Sequence, residues 1–255
     1  MAAASKTFLT MTTVAFALMF GGGVYVLSKI DTLAKPMAER IASEALGVRV
    51  SIGAMTISLP EKRVDVMNIR VANPQGFSKP HALTIDNTRI ALKNVATKLI
   101  DFEGIGVSGA KVFLEVNESG TNLHALKKGM KGADPQTADE EPLKVIIRHF
   151  VLNRTQLNPS VTLIESQDLK PIEVAPVELK GIGVKENGIL AREAVTQIMA
   201  PLLQTFSNAA GDAGFYQGLS SDALKEIGAS QINQIKTQIN EEVDKIGEGL
   251  KNLFQ

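Results

Sequence analysis

Residues 48–59 read VRVSIGAMTISL. Val48, Val50 and Ile52 alternate with Arg49 and Ser51, and then Met55, Ile57 and Leu59 alternate with Thr56 and Ser58. Successive side chains of a strand point to opposite faces, so this pattern predicts a strand with one apolar face. Its phase slips at Gly53-Ala54, which marks a bulge or a short turn. After a turn at Pro60-Glu61-Lys62, the residues Val64, Val66, Ile69 and Val71 make a second strand, with its own slip near Met67-Asn68. Asn73-Pro74-Gln75-Gly76 is the next turn signal. Further strands are readable over 83–92, 99–107 and 111–116. No helical run of ten or more residues separates any of them, so antiparallel meander pairing is expected rather than parallel crossovers.

Upstream of this block the period is helical. Residues 29–46 read KIDTLAKPMAERIASEAL, with Ile30, Leu33, Met37, Ile41, Ala45 and Leu46 on one stripe. Pro36 should kink or restart that helix, and Gly47 stands where a C-terminal cap glycine belongs. Before it, residues 7–28 carry no charge and read TFLTMTTVAFALMFGGGVYVLS. As a helix this run covers about 33 Å, which matches a hydrocarbon core of roughly 30 Å. It is longer than the apolar region of a signal peptide and no good small-x-small cleavage site follows, so an uncleaved anchor is expected. The short N-terminal tail favours a cytoplasmic N-terminus with the bulk of the chain translocated.

Downstream, residues 127–141 (KKGMKGADPQTADEE) hold three lysines and then four acids, with Gly and Pro and no large aliphatic side chain but Met130. They are expected to form a solvated, mobile loop. A second strand block covers about 143–184. Helical periodicity returns with Ile189, Ala194, Val195, Ile198, Met199, Leu202, Leu203 and Phe206, interrupted by Pro201. A long helix is expected from Ser220, where Ile232, Ile235, Ile239, Val243, Ile246, Leu250 and Leu253 form one continuous stripe. That stripe is the candidate surface for the sheet or for a partner helix.

The expected fold class is therefore α+β. A transmembrane helix and an amphipathic helix precede a mainly antiparallel, curled sheet, either groove-like or a sandwich, and helices close the chain. The corresponding divisions are 1–28 (cytoplasmic tip and anchor), 29–47, 48–126 (first β block), 127–141 (loop), 142–187 (second β block) and 188–255.

The composition narrows the chemistry. The 255 residues carry 27 basic and 27 acidic side chains, so the basic field needed for nucleic-acid binding is missing. There is no cysteine, which excludes disulfides, thiolate metal sites and cysteine nucleophiles. The three histidines, His81, His124 and His149, are far apart, and His149 has no acid or second histidine at ligand spacing. Gly104-Ile105-Gly106 and Gly181-Ile182-Gly183 do not continue as G-x-G-x-x-G and open no helix. No nucleophile–base pair is visible. A non-enzyme with no cofactor, no metal site and no catalytic residues is expected.

The stretch 45–53 (ALGVRVSIG), the strand over 64–71 and Ala72-Asn73-Pro74-Gln75-Gly76-Phe77, together with Glu115-Val116-Asn117 and Gly120-Thr121-Asn122-Leu123, resemble the AsmA-like family of bacterial envelope proteins. The resemblance covers about residues 7–126. It implies an inner-membrane anchor, a periplasmic body, and an architecture similar to bridge-like lipid-transfer proteins, in which curled antiparallel sheet forms a groove for acyl chains. On that reading the protein binds phospholipid or helps its transfer in the cell envelope. The residues expected to face acyl chains are Val50, Ile52, Ile57, Leu59, Val64, Val66, Ile85, Ile90, Val112 and Leu114. The alternative is an envelope scaffold that recruits a protein partner, or a second copy of itself, through the C-terminal stripe.

Overall fold

The computed structural model describes residues 27–96, 98–117, 120–132, 143–161, 167–168 and 170–215. The expected anchor lies outside them apart from Leu27 and Ser28, and so does the whole stripe over 232–253. Among the described residues no helix is long and apolar enough to cross a membrane.

Helix α1 (Leu27–Leu46) leads into strands β1 (Val50–Ser58), β2 (Arg63–Ala72), β3 (His81–Ala96), β4 (Leu99–Asn117) and the short β5 (Gly120–Thr121). Helix α2 (Asn122–Gly132) follows, then β6 (Lys144–Asn153), β7 (Thr155–Val161), β8 (Gln167–Asp168), β9 (Ile172–Val174), β10 (Val177–Ile182) and β11 (Ile189–Leu190). Helix α3 (Ala191–Asp212) ends the described chain but for a short turn. Neither helix restarts at its proline. α1 runs through Pro36 and α3 through Pro201, each proline costing one hydrogen bond that packing of the apolar stripe offsets. Gly47 caps α1 as expected, with φ 67° and its N–H on the Ser43 carbonyl at 2.9 Å.

All the strands belong to one 11-stranded sheet, with β1-β2-β3-β4-β6-β10 as its main path. Among the described residues no second sheet faces it. The α+β class and the antiparallel pairing hold through β4, in which the two strands expected over 99–107 and 111–116 are one continuous strand. Past that point the expectation needs correcting, because β6 and β7 both run parallel to β4. A parallel neighbour requires a long crossover, and part of this one is helical. Residues 127–132, read as the start of a mobile loop, are the second half of α2. Its signal was present in the sequence. Leu123, Leu126 and Met130 share one face, and the Thr121 hydroxyl accepts the His124 N–H at 3.2 Å as an N-terminal cap.

One core joins the apolar face of the sheet to all three helices. It includes Leu46 of α1, Leu123, Leu126 and Met130 of α2, and Leu202, Leu203 and Phe206 of α3. α1 also covers the edge strand β1 with polar side chains. Ser43 Oγ accepts the Val50 N–H at 2.8 Å, Glu39 Oε1 accepts the Ile52 N–H at 2.6 Å, and Lys35 Nζ donates to the Gly53 carbonyl at 3.3 Å. Such cover keeps an edge from pairing with another chain.

The registers reveal a seam. Inward-facing residues line up above it as Val50-Val71-Leu83-Val112-Leu157-Ile172 and below it as Met55-Val66-Thr88-Val107-Leu152-Val177. Where the alternation crosses from one set to the other, each strand inserts two residues instead of one: Gly53-Ala54, Met67-Asn68, Asp86-Asn87, Ser108-Gly109, Asn153-Arg154 and Ala175-Pro176. Asn68, Gly109 and Arg154 there take φ of 56°, 72° and 52°. The slips read separately at Gly53-Ala54 and Met67-Asn68 thus lie opposite each other, and the pairing register survives because both strands slip together. A bulge bends its strand, so a row of them creases the sheet along one transverse line.

Candidate functional site

Along the crease and below it lies a second apolar cluster. Ile52, Val64, Val66 and Leu92 are buried in it, and Ala38, Met55, Ile57, Ile69, Ile90, Ile100 and Phe102 pack on it half-buried. α1 contributes Ala38 to this cluster and α3 contributes nothing among the described residues. Over β6 and β10 the same face is closed by α3, where Ile147, Phe150, Leu152 and Ile182 join the main core. The lower halves of β1–β4 therefore form an apolar floor with helical cover along one margin. From Thr88 to Val95 the floor runs about 23 Å along β3, and four strands give it a width of about 14 Å between outer axes.

Thr88 is the polar member of its row, between Val66 and Val107. It is 5% exposed and its hydroxyl has no hydrogen-bond partner. An unpaired buried hydroxyl costs about 1–3 kcal/mol. A hydrogen-bond acceptor brought onto the floor beside an apolar chain would recover that cost.

The expected acyl-facing residues divide between the two apolar clusters. Val50, Val112 and Leu114 belong to the closed core, at 6%, 0% and 0% exposure, and have no surface left for a ligand. Ile85 packs against that same core. Ile52, Val64, Val66, Ile57 and Ile90 are floor residues, and Leu59 stands exposed in the β1–β2 turn. The alternation alone did not separate the two halves, since both use the same residue types. Met55, Leu92, Ile100 and Phe102 also belong to the floor; Ile100 and Phe102 alternate with Asp101 and Glu103 and were readable on that ground.

The segments that carry the family resemblance come together at the far end of the sheet. The Glu115 carboxylate, 1% exposed, accepts the Ser78 N–H at 2.6 Å, the Lys79 N–H at 2.9 Å and Asn73 Nδ2 at 3.2 Å. Asn122 donates to Asn73 Oδ1 and to the Phe113 carbonyl, and its own Oδ1 accepts the Glu115 N–H at 2.9 Å. Asn117 Nδ2 donates to the Gly76 carbonyl at 2.7 Å. The Asn-Pro-x-Gly-Phe loop is thereby clasped to β4 and to the start of α2. These bonds tie the loop to the sheet, so the clasp serves as a structural device.

The outer face of the lower half is polar. Asp65 pairs with Arg89 and Arg63, and Arg148 holds Asp101 through two hydrogen bonds of 3.0 and 2.8 Å. The Arg89 hydrogen bond, with Arg63 beside it, keeps the Asp65 carboxyl below its ordinary range, and Lys180 and His149 do the same for Glu178. A carboxylate whose folded pKa is depressed adds stability above its unfolded pKa of about 4 and loses it as pH falls through the folded value. The stability difference between the native chain and Asp65→Asn should therefore shrink from pH 6 to pH 3 in denaturant titrations. It should be small throughout, because these pairs are exposed.

Among the described residues no group of three or more histidine, aspartate and glutamate side chains is placed to hold a metal ion. No protein-family model matches the chain, and no curated protein or solved structure matches it significantly.

Proposed function

We propose that this is a membrane-anchored, periplasmic AsmA-like protein that binds phospholipid acyl chains on the floor below the crease and helps their movement in the cell envelope. The observation that carries this reading is the half-covered cluster of Ile57, Ile90, Ile100 and Phe102, with the unpartnered Thr88 hydroxyl at its upper edge beside Val66. Apolar burial is worth about 0.8 kcal/mol per methylene, so even part of an acyl chain is held firmly on such a surface. The charge-free run over 7–28 and the direction of α1 support a tether on the inner membrane, since α1 climbs from the floor's open end towards the core.

Native mass spectrometry of the full chain, released from detergent, tests the reading. Bound phospholipid is expected in the native protein. Thr88→Val, which keeps the shape and removes the hydroxyl, should fold as well or better and retain less lipid. A native chain that carries no phospholipid under conditions that preserve other lipid complexes sinks the proposal.

A further inference from the structure

The lower end of the sheet gathers the β1–β2 turn, the β3–β4 turn, the start of β6 and the β10–β11 turn. The registers place them together: Ser58 lies opposite Arg63, Ala96 opposite Leu99, Leu99 opposite Lys144, and Ile189 opposite Val145. Measured along the strands, their tips fall within about three residue steps, about 10 Å, and across the sheet they span about 19 Å. Each of the three turns carries an exposed aliphatic side chain at or beside its tip. Leu59 is 38% exposed, Val95 40% and Val184 37%. In each turn an exposed lysine follows, Lys62, Lys98 and Lys185, and Lys144 joins them at the start of β6. Among the described residues the acids on the three turns are Glu61, which pairs with Arg63 at 2.8 Å, and Glu186, while Asp101, level with Asn94, is held by Arg148.

Large aliphatic side chains on turn tips have no role in the core, and three at one end of a sheet, each beside a lysine, match a bilayer interface. The apolar groups enter the acyl boundary and the ammonium groups meet lipid phosphates. α1 approaches from the same end: Lys35 lies at the level of Gly53, and the turns of α1 before it extend about 12 Å further towards the turn tips. We infer that this rim is a membrane-docking surface, which seats the open end of the floor on an anionic bilayer. The inference rests on the anchor reading of residues 7–28 for which bilayer it meets. It does not require that lipid be bound on the floor.

The chain has no tryptophan and no cysteine, so a single introduced tryptophan reports alone. Leu59→Trp, Val95→Trp and Val184→Trp would be made singly in the full chain and reconstituted into vesicles of phosphatidylcholine with phosphatidylglycerol. Gln75→Trp, in the loop at the opposite end, is the control. Emission from the three tips should be blue-shifted and largely quenched by brominated lipid, and Gln75→Trp should not be. Reversing Lys62, Lys98 and Lys185 to glutamate should relieve the quenching in these vesicles, because each lysine near an anionic surface strengthens binding about fivefold. Tips that stay unquenched, or blue-shift without quenching because protein covers them, overturn the inference. Quenching indifferent to the lysine reversals overturns the anionic part of it. Alkaline carbonate extraction of the same vesicles separates the premises. Release of the chain defeats the tether and this orientation with it, while retained chain with unquenched tips defeats the rim alone.

Discussion

Glu115→Ala should lower the stability of the chain by about 3–4 kcal/mol, the largest loss expected from any single polar side chain described here. The carboxylate takes three donors, from Ser78, Lys79 and Asn73, and is itself 1% exposed. Alanine takes the acceptor from the Ser78 and Lys79 N–H groups and opens a space beneath the loop, while Asn73 Nδ2 keeps the Lys79 carbonyl at 3.1 Å. Each orphaned buried donor costs about 1–3 kcal/mol, Ser78 is exposed and can turn to water, and the space left by the side chain adds to the loss. Glu115→Gln should cost about half as much, since one oxygen still accepts while the new amide faces donors. Urea unfolding followed by circular dichroism would show a lower midpoint at unchanged slope. A loss under about 1 kcal/mol for the alanine variant would mean that the loop holds its place without the clasp. The two variants also test what the sequence motif is for. If Glu115→Gln keeps its bound lipid while losing stability, then the Asn-Pro-x-Gly-Phe segment serves architecture and stands apart from the floor.

Much of this arrangement was legible as local pattern, and the limits have physical causes. The strands from β1 to β4 showed themselves because each has one apolar face, and period-two alternation reports that directly. The helix α2 was hidden by its composition. Lys127, Lys128 and Gly129 read as a charged, glycine-bearing break, although Leu123, Leu126 and Met130 keep helical spacing through it. Missing that helix removed the crossover, and with it the parallel pairing of β4 with β6 and β7. The floor was half legible for a different reason. A single strand tells which residues share a face, but not which stretch of that face a helix will cover. Val112 and Ile90 look alike in sequence; one lies in the closed core together with residues of α2 and α3, and the other lies in the cluster to which those helices contribute no described residue. Partner choice among three helices is a long-range property, and no window of ten residues contains it.

The crease is the device that divides covered sheet from open floor, and its central pair can be tested by a double-mutant cycle. A Cβ on Gly53 would stand 2.8 Å from Asn68 Cβ and 3.2 Å from the Met67 carbonyl oxygen. Neither neighbour is the free end of a flexible side chain, so Gly53→Ala should cost about 2–3 kcal/mol as overpacking against backbone-fixed atoms. Asn68→Gly removes one of those atoms. It also suits a residue at φ 56°, where glycine carries no steric penalty, and should change stability by less than about 1 kcal/mol. In the double variant most of the Gly53→Ala loss should vanish, a coupling of about 1.5 kcal/mol or more. Additive losses would show that the two slips are independent faults in neighbouring strands. Coupled ones would show a single seam, in which the insertion in β1 is tolerated because β2 makes room for it in register. The same pair links the crease to the floor. Ile52 and Met55 flank Gly53-Ala54, and Val66 and Ile69 flank Met67-Asn68, so distortion at the seam displaces floor residues on both strands. Lipid retention measured on Gly53→Ala should fall with its stability and return in the double variant, since the floor's shape is set by how these two strands bend together.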